Sequence, residues 1–190
     1  MRKAVLALLL LGAGCSNNDT LILGGIGASS ETPQIVFDNI NSAISGKVTL
    51  SDANGNPVTP VLAVILSDSP GLCDKLKQHP DYFRKPPETF IAMILFIPPD
   101  KFGTFLPGRQ GDEGTGSEII GVSDTSKKVL PFRAVDGDGF IAIAPENGTT
   151  GSFNLLYAAP PELNVTTSGF PFQGRFKAGP CPNMANVLLP

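Results

Sequence analysis

Ile44-Ser45-Gly46-Lys47-Val48-Thr49-Leu50-Ser51 alternates apolar and polar positions without a break. Side chains on a strand point to opposite faces in turn, so this pattern predicts a half-buried β-strand. Asp52-Ala53-Asn54-Gly55-Asn56-Pro57 follows, with Asn-Gly at its centre, the dipeptide that tight hairpin turns favour. Residues 58–66 are mostly apolar and predict the returning strand. Pro60 has no N–H to give a ladder, so it places the start of that strand at an edge or bend.

The pattern continues outward from this hairpin. Phe90-Ile91-Ala92-Met93-Ile94-Leu95-Phe96-Ile97 is apolar throughout and is followed by Pro98-Pro99. A run of this length reads as a central strand buried on both faces. Near the end of the chain, Phe170, Phe172, Gly174, Phe176 and Ala178 alternate with Pro171, Gln173, Arg175 and Lys177. That predicts a last strand with one apolar and one polar face. Residues 129–135, 139–144 and 152–157 read as further strands. Asp136-Gly137-Asp138 and Glu146-Asn147-Gly148 read as the turns between them, and 107–117 as a loop.

One helix is predicted, over about 69–79. Ser69 can cap it, Pro70 suits the first helical position, and Pro80 stops it. Leu72, Cys73 and Leu76 would share the face that packs on the sheet. Gly 21 and Pro 18 are high, as in a chain of strands and turns. The fold class expected is mainly β: an antiparallel β-sandwich or open barrel with this one short helix.

Ser45-Gly46-Lys47-Val48 and Asp52-Ala53-Asn54-Gly55-Asn56-Pro57-Val58 resemble the opening hairpin of carboxypeptidase-regulatory-like and related transthyretin-type β-sandwich domains. The resemblance covers about 44–66. It implies a sandwich fold and carries no activity with it.

The chain begins Met1-Arg2-Lys3, then runs apolar from Ala4 to Leu11, then small through Gly12-Ala13-Gly14 to Cys15. A charged start, a short apolar stretch and small residues at a cut site describe an export signal. The apolar run is too short for a bilayer span, which needs roughly 20 residues. Leu11-Gly12-Ala13-Gly14-Cys15 resembles the lipobox of bacterial lipoproteins, with Gly12 where that family usually has Leu. The resemblance implies removal of 1–14, a diacylglyceryl thioether on Cys15 and an acylated new amino terminus. Ser16, rather than Asp, implies passage to the outer membrane. Residues 15–33 are polar and Gly/Ser-rich and read as the lipidated N-terminus and a flexible tether. Residues 34–190 then form a single β-rich domain.

Loss of 1–14 leaves 12 basic against 17 acidic side chains, a net charge of −5. Nucleic-acid binders carry basic stripes, so nucleic acid is not an expected partner. The expected partners are the membrane, through the lipid, and an envelope protein. With Cys15 assigned to lipid, Cys73 and Cys181 remain. In an oxidising compartment such a pair is expected to bridge, the alternative being two buried thiols.

Candidate chemistry is sparse. The lone histidine, His79, stands beside Pro80 at a predicted helix end, where it serves the last carbonyls more readily than it catalyses. One His and a committed Cys pair leave little for a transition metal, so neither a metal site nor a small-molecule cofactor is expected. Gly121-Val122-Ser123-Asp124-Thr125 breaks the nucleophile-elbow pattern at its last position. Gly24-Gly25-Ile26-Gly27 lacks the remainder of a dinucleotide fingerprint. Asp112, Glu113 and Glu118 in the loop, and Asp136 and Asp138 in the turn, are the carboxylates an envelope hydrolase would use. Asp52-Ala53-Asn54-Gly55-Asn56 starts like a calcium loop but meets Pro57 and Ala63 at the sixth and twelfth positions. The expectation is a non-enzymatic, membrane-anchored envelope lipoprotein with a binding or structural β-domain and no catalytic residues. A hydrolase or a calcium-stabilised adhesion module are the alternatives.

Overall fold

Alternating side chains give a strand an apolar face to bury, and the chain buries these faces by closing a long, mainly antiparallel sheet round an inner core and covering part of its outer side with a second apolar layer. The structure, a computed structural model, describes residues 19–27, 34–51, 57–97, 103–105, 116–122, 129–144, 148–163 and 169–189. Its strands are β1 (Leu21–Ile26), β2 (Ile35–Val36), β3 (Ser42–Ser51), β4 (Pro57–Ser67), β5 (Ile91–Ile97), β6 (Gly103–Phe105), β7 (Gly116–Val122), β8 (Val129–Ala144), β9 (Gly148–Ala158) and β10 (Phe170–Pro180). One helix, α1 (Leu72–Gln78), and two 3-10 turns, Pro161–Leu163 and Pro182–Asn186, complete it. Among the described residues no helix is long and apolar enough to cross a membrane.

The pairings run β3-β4-β5-β7-β8-β9-β10, each antiparallel. They return from β10 to β3 through a parallel contact of two pairs, Gly179↔Ile44 and Pro180↔Ser45. This short seam matches the expected sandwich or open barrel. β1 lies along β10 from Leu21↔Arg175 to Gly24↔Phe172, and β2 extends it by two pairs.

The apolar residues divide into two cores. The inner core collects side chains from the strands, among them Val64, Leu66, Met93, Leu95, Ile119, Phe132, Phe153, Tyr157, Phe172 and Phe176. The second core lies outside β3, β4, β5 and β7, beneath α1 and the C-terminal segment. It holds Val61, Ile65, Ile94, Ile120, Leu72, Leu76, Tyr82, Phe83, Phe90 and Met184. β5 lies between the two. Met93 and Leu95 belong to one core, Ala92 and Ile94 to the other. That is why its sequence is apolar throughout rather than alternating. Phe172, Phe176 and Ala178 of β10 point inward, and Gln173, Arg175 and Lys177 outward, as the alternation predicts.

Four local expectations are corrected. The first concerns Leu21–Ile26, read as part of the 15–33 tether. It is instead the strand β1, with Ile22 and Ile26 buried in the inner core. The edge of β10 away from β9 supplies its ladder partners, and no local sequence signal discloses that edge. The rest of the tether, together with 1–14 and Cys15, lies outside the described residues.

The second concerns the helix start. α1 begins at Leu72, after Gly71 at φ 65°, and has no side-chain cap of its own. The Leu72 N–H donates to Ser42 Oγ at 3.1 Å, a partner from β3. Ser69 Oγ instead donates to Glu88 Oε1 at 2.7 Å.

The third concerns Asp136-Gly137-Asp138, which is not a turn. The residues from 129 to 144 form one strand with an irregularity between Ala134 and Asp136. Gly137 sits at φ 118°, and a Cβ there would stand 2.1 Å from the Asn154 carbonyl oxygen. Turns and bulges both recruit glycine for positive φ, so the local signal is the same.

The fourth concerns Glu118, assigned to a loop, which lies in β7. The turn at 52–56, the loop carboxylates Asp112 and Glu113, and the 145–147 turn lie outside the described residues.

Candidate functional site

Where the end of β4, helix α1 and the loop from 79 to 90 meet, titratable and hydroxyl side chains converge. Glu88 Oε1 is their focus. It accepts from Ser69 Oγ at 2.7 Å, from Tyr82 Oη at 2.7 Å and from Lys75 Nζ. Lys75 Nζ also donates to Ser69 Oγ at 2.8 Å. Ser69 and Tyr82 are buried, while the side chains of Lys75 and Glu88 keep 30% and 43% of their surface. The site therefore has a dry floor and a charged pair at its mouth.

Each residue arrives by a different route. The short helix brings Lys75 to Ser69, two residues past the end of β4. The loop after α1 drops Tyr82 onto Phe90, with ring centroids 5.0 Å apart, and Phe83 closes the aromatic floor. Behind them a second line of hydroxyls ties the strands. Ser42 Oγ donates to the Ser69 carbonyl at 2.6 Å, and Ser67 Oγ to the Ile91 carbonyl at 2.8 Å. Asp68 Oδ1 accepts the Ile91 N–H at 2.8 Å.

The electrostatics follow from these contacts. Hydrogen bonds from Lys75, Tyr82 and Ser69 lower the Glu88 carboxyl to about 2. Burial raises the Asp68 carboxyl, against the hydrogen bonds from Ile91 and Ser67. Burial also pushes the Tyr82 phenol above the ordinary tyrosine range, so it serves as a neutral donor.

The Ser69–Lys75 contact has the reach of a serine–lysine catalytic pair. Its wiring differs. A lysine acting as base for a serine must give up its charge, whereas Lys75 is engaged as the ion-pair partner of Glu88. Ser69 in turn directs its proton at that same carboxylate. A carboxyl lowered to about 2 is a weak base at neutral pH. The arrangement suits a clamp that holds the helix layer to the sheet.

Cys73 and Cys181 form a disulfide with Cα atoms 5.8 Å apart, joining α1 to the segment after β10. Asn183 Nδ2 donates to the Cys73 carbonyl at 3.3 Å beside it. His79 is exposed and terminates α1 with its backbone N–H on the Lys75 carbonyl. Glu118 pairs with Arg133 at 3.0 Å across β7 and β8, and burial raises its carboxyl. Asp136 Oδ1 accepts the N–H of Gly137 within its own bulge, and Asp138 is exposed on β8. Glu118 and the two aspartates thus have separate structural surroundings. Among the described residues no group of three or more His, Cys, Asp or Glu side chains is placed to hold a metal ion.

Sequence reasoning missed the Ser69–Lys75–Tyr82–Glu88 cluster. Its members are 6 to 19 residues apart with no recurring period. The local hint was composition alone: a tyrosine and an acid among Pro80, Pro86 and Pro87, in a chain with two Tyr.

Comparison with protein-family models, with curated proteins and with solved structures gives no match.

Proposed function

We propose that this chain is a lipid-anchored protein of the bacterial envelope whose β-domain binds or scaffolds a partner rather than turning over a substrate. The observation that carries the proposal is Leu11-Gly12-Ala13-Gly14-Cys15 behind a positive start and a short apolar run. The thiol of Cys15 is the acceptor for the diacylglyceryl group. Two or three acyl chains together hold stably where one does not. Ser16 directs the product to the outer membrane.

The Cys73–Cys181 bond supports an exported destination, because disulfides persist in oxidising compartments. The wiring of Lys75 and Ser69 to Glu88 supports a structural rather than catalytic use of that cluster. The partner belongs to the envelope, and the net charge of −5 left after removal of 1–14 disfavours nucleic acid.

The test is Cys15→Ala in the native host, followed by membrane fractionation and labelling with radioactive palmitate. Release from membranes together with loss of label is expected. Undiminished membrane retention of the variant would refute the anchor. Turnover of a substrate that vanishes on one substitution would refute the non-enzymatic role.

A further inference from the structure

The sheet has two outer sides. The outer side of β3, β4, β5 and β7 is covered by α1 and the C-terminal segment. The outer side of β1, β10, β9 and β8 has no such layer among the described residues. It carries Leu21, Leu23 and Phe140 at 46%, 49% and 52% exposure, large apolar side chains left in water. Four of its residues form one row with a basic member: Leu21 is opposite Arg175, Arg175 opposite Ser152, and Ser152 opposite Phe140. Three strand steps of about 4.8 Å make that row roughly 14 Å wide. Lys177 lies two residues along β10 from Arg175 and reaches Asp19 at 3.8 Å.

The strand that carries Leu21 and Leu23 is also the one nearest the anchor. Five residues, 16–20, lie between Cys15 and Leu21, which are thus six chain steps apart. Whatever path they take, they span at most about 21 Å. A domain of this size has a radius of gyration of about 15 Å and is roughly 40 Å across. A chain anchored at Cys15 therefore cannot stand its domain well clear of the bilayer. Leu21 lies within about 21 Å of the bilayer surface, about half the width of the domain.

The geometry points to the outer face of β1, β10, β9 and β8 as a surface that rests on the lipid bilayer, with Leu21, Leu23 and Phe140 in the headgroup region and Arg175 beside the lipid phosphates. This inference rests on the lipid-anchor reading. Exposed aliphatic and aromatic side chains beside a basic one suit an interfacial surface, and Asp138, exposed in the row of Leu23, Gln173 and Asn154, marks the polar rim of this one. The consequence is orientation: α1, the disulfide and the Glu88 cluster are presented to the periplasm or the exterior.

The chain has no tryptophan, so a single introduced one reports its own surroundings. The test uses the full mature lipidated protein in vesicles of phosphatidylethanolamine and phosphatidylglycerol, with part of the lipid brominated near the headgroup end of its chains. Phe140→Trp places the reporter on the proposed face; Gln78→Trp places it on exposed α1. F140W emission is expected to shift to the blue and fall roughly twofold or more in brominated vesicles, with Q78W unchanged. Adding L21S and L23S to F140W is expected to abolish the quenching while the protein still floats with the vesicles. Flotation without quenching of F140W overturns the docking face and leaves the anchor standing. Equal quenching of both reporters overturns the orientation. Failure to float, with unmodified Cys15, overturns the anchor and this inference together. Flotation with F140W shielded by a second copy, seen as a crosslinked dimer through that face, overturns the lipid as its occupant.

Discussion

Cys73 on α1 is bonded to Cys181, 108 residues further along the chain, and the bond fastens the only α-helix of the described structure to the segment leaving the last strand. Around it, the Cys181 N–H donates to the Ser45 carbonyl at 2.7 Å and the Leu188 N–H to the Pro80 carbonyl at 2.8 Å. The helix layer and the C-terminal segment are therefore one unit laid across β3, β4 and β5.

Breaking that bond should loosen this unit first. Cys73→Ser with Cys181→Ser should cost about 2–5 kcal/mol, since a loop of this length constrains the unfolded chain by roughly 4–5 kcal/mol. A urea titration with and without reductant measures it. A midpoint that reductant leaves unmoved in the native protein would contradict the expectation.

Gly46 should tolerate no side chain. A Cβ there would stand 2.6 Å from the Cys181 carbonyl oxygen and 3.0 Å from Met184 Cβ. Gly46→Ala should destabilise by about 1–3 kcal/mol through overpacking. Gly179→Ala is the control, because the nearest atom to its Cβ is 4.0 Å away. Comparable melting temperatures for the two variants would count against the close approach.

Ser42, rather than Ser69, should behave as the cap of α1. Ser42→Ala removes the acceptor of the Leu72 N–H and the donor to the Ser69 carbonyl. A loss of about 1–2 kcal/mol is expected, in the range of a lost helix cap. Hydrogen exchange should show the first turn of α1 opening more often. Unchanged protection at Leu72 would dispose of the cap.

Glu88 should give the fold an acid-side dependence. Its folded carboxyl titrates at about 2, below its ordinary 4.5. Its contribution is thus fully present above about 4.5 and is lost as pH falls towards 2. Asp68 works the other way: burial raises its carboxyl, so protonation favours the folded state. The Glu88 side chain is 43% exposed, so solvent screening holds the effect to about 1 kcal/mol. Denaturant midpoints of native protein and Glu88→Gln should converge as pH falls from 5 to 2. A constant gap across that range would be the contrary result.

The legible parts of the fold were those with a local period. The alternation in 44–51 and 170–178 located β3 and β10 and their apolar faces, although that of β3 (Ile44, Val48, Leu50) packs outward under α1 and the C-terminal segment while that of β10 (Phe172, Phe176, Ala178) packs inward. The unbroken apolar run at 90–97 located β5 and its burial on both sides. The absence of a period hid the rest. β7 carries Ser117 and Glu118 at its start, and the inward-facing Ser117 is buried because its hydroxyl meets Tyr157 Oη at 2.5 Å. A buried polar residue breaks the pattern that announces a strand, and its partner is 40 residues away.

Local chemistry along the chain suffices for the β class, the main strands and their apolar faces, the approximate place of the helix and the pair of cysteines available to bridge. Each follows from steric alternation, proline and glycine conformation, or the chemistry of thiols, which act over a few residues. Long-range packing is what makes 21–26 a strand and Asp136-Gly137-Asp138 a bulge, sets Ser42 as the cap of a helix thirty residues away, and gathers Ser69, Lys75 and Tyr82 at Glu88. In each case a backbone edge or polar atom must find a partner, and folding brought that partner from a distant part of the chain.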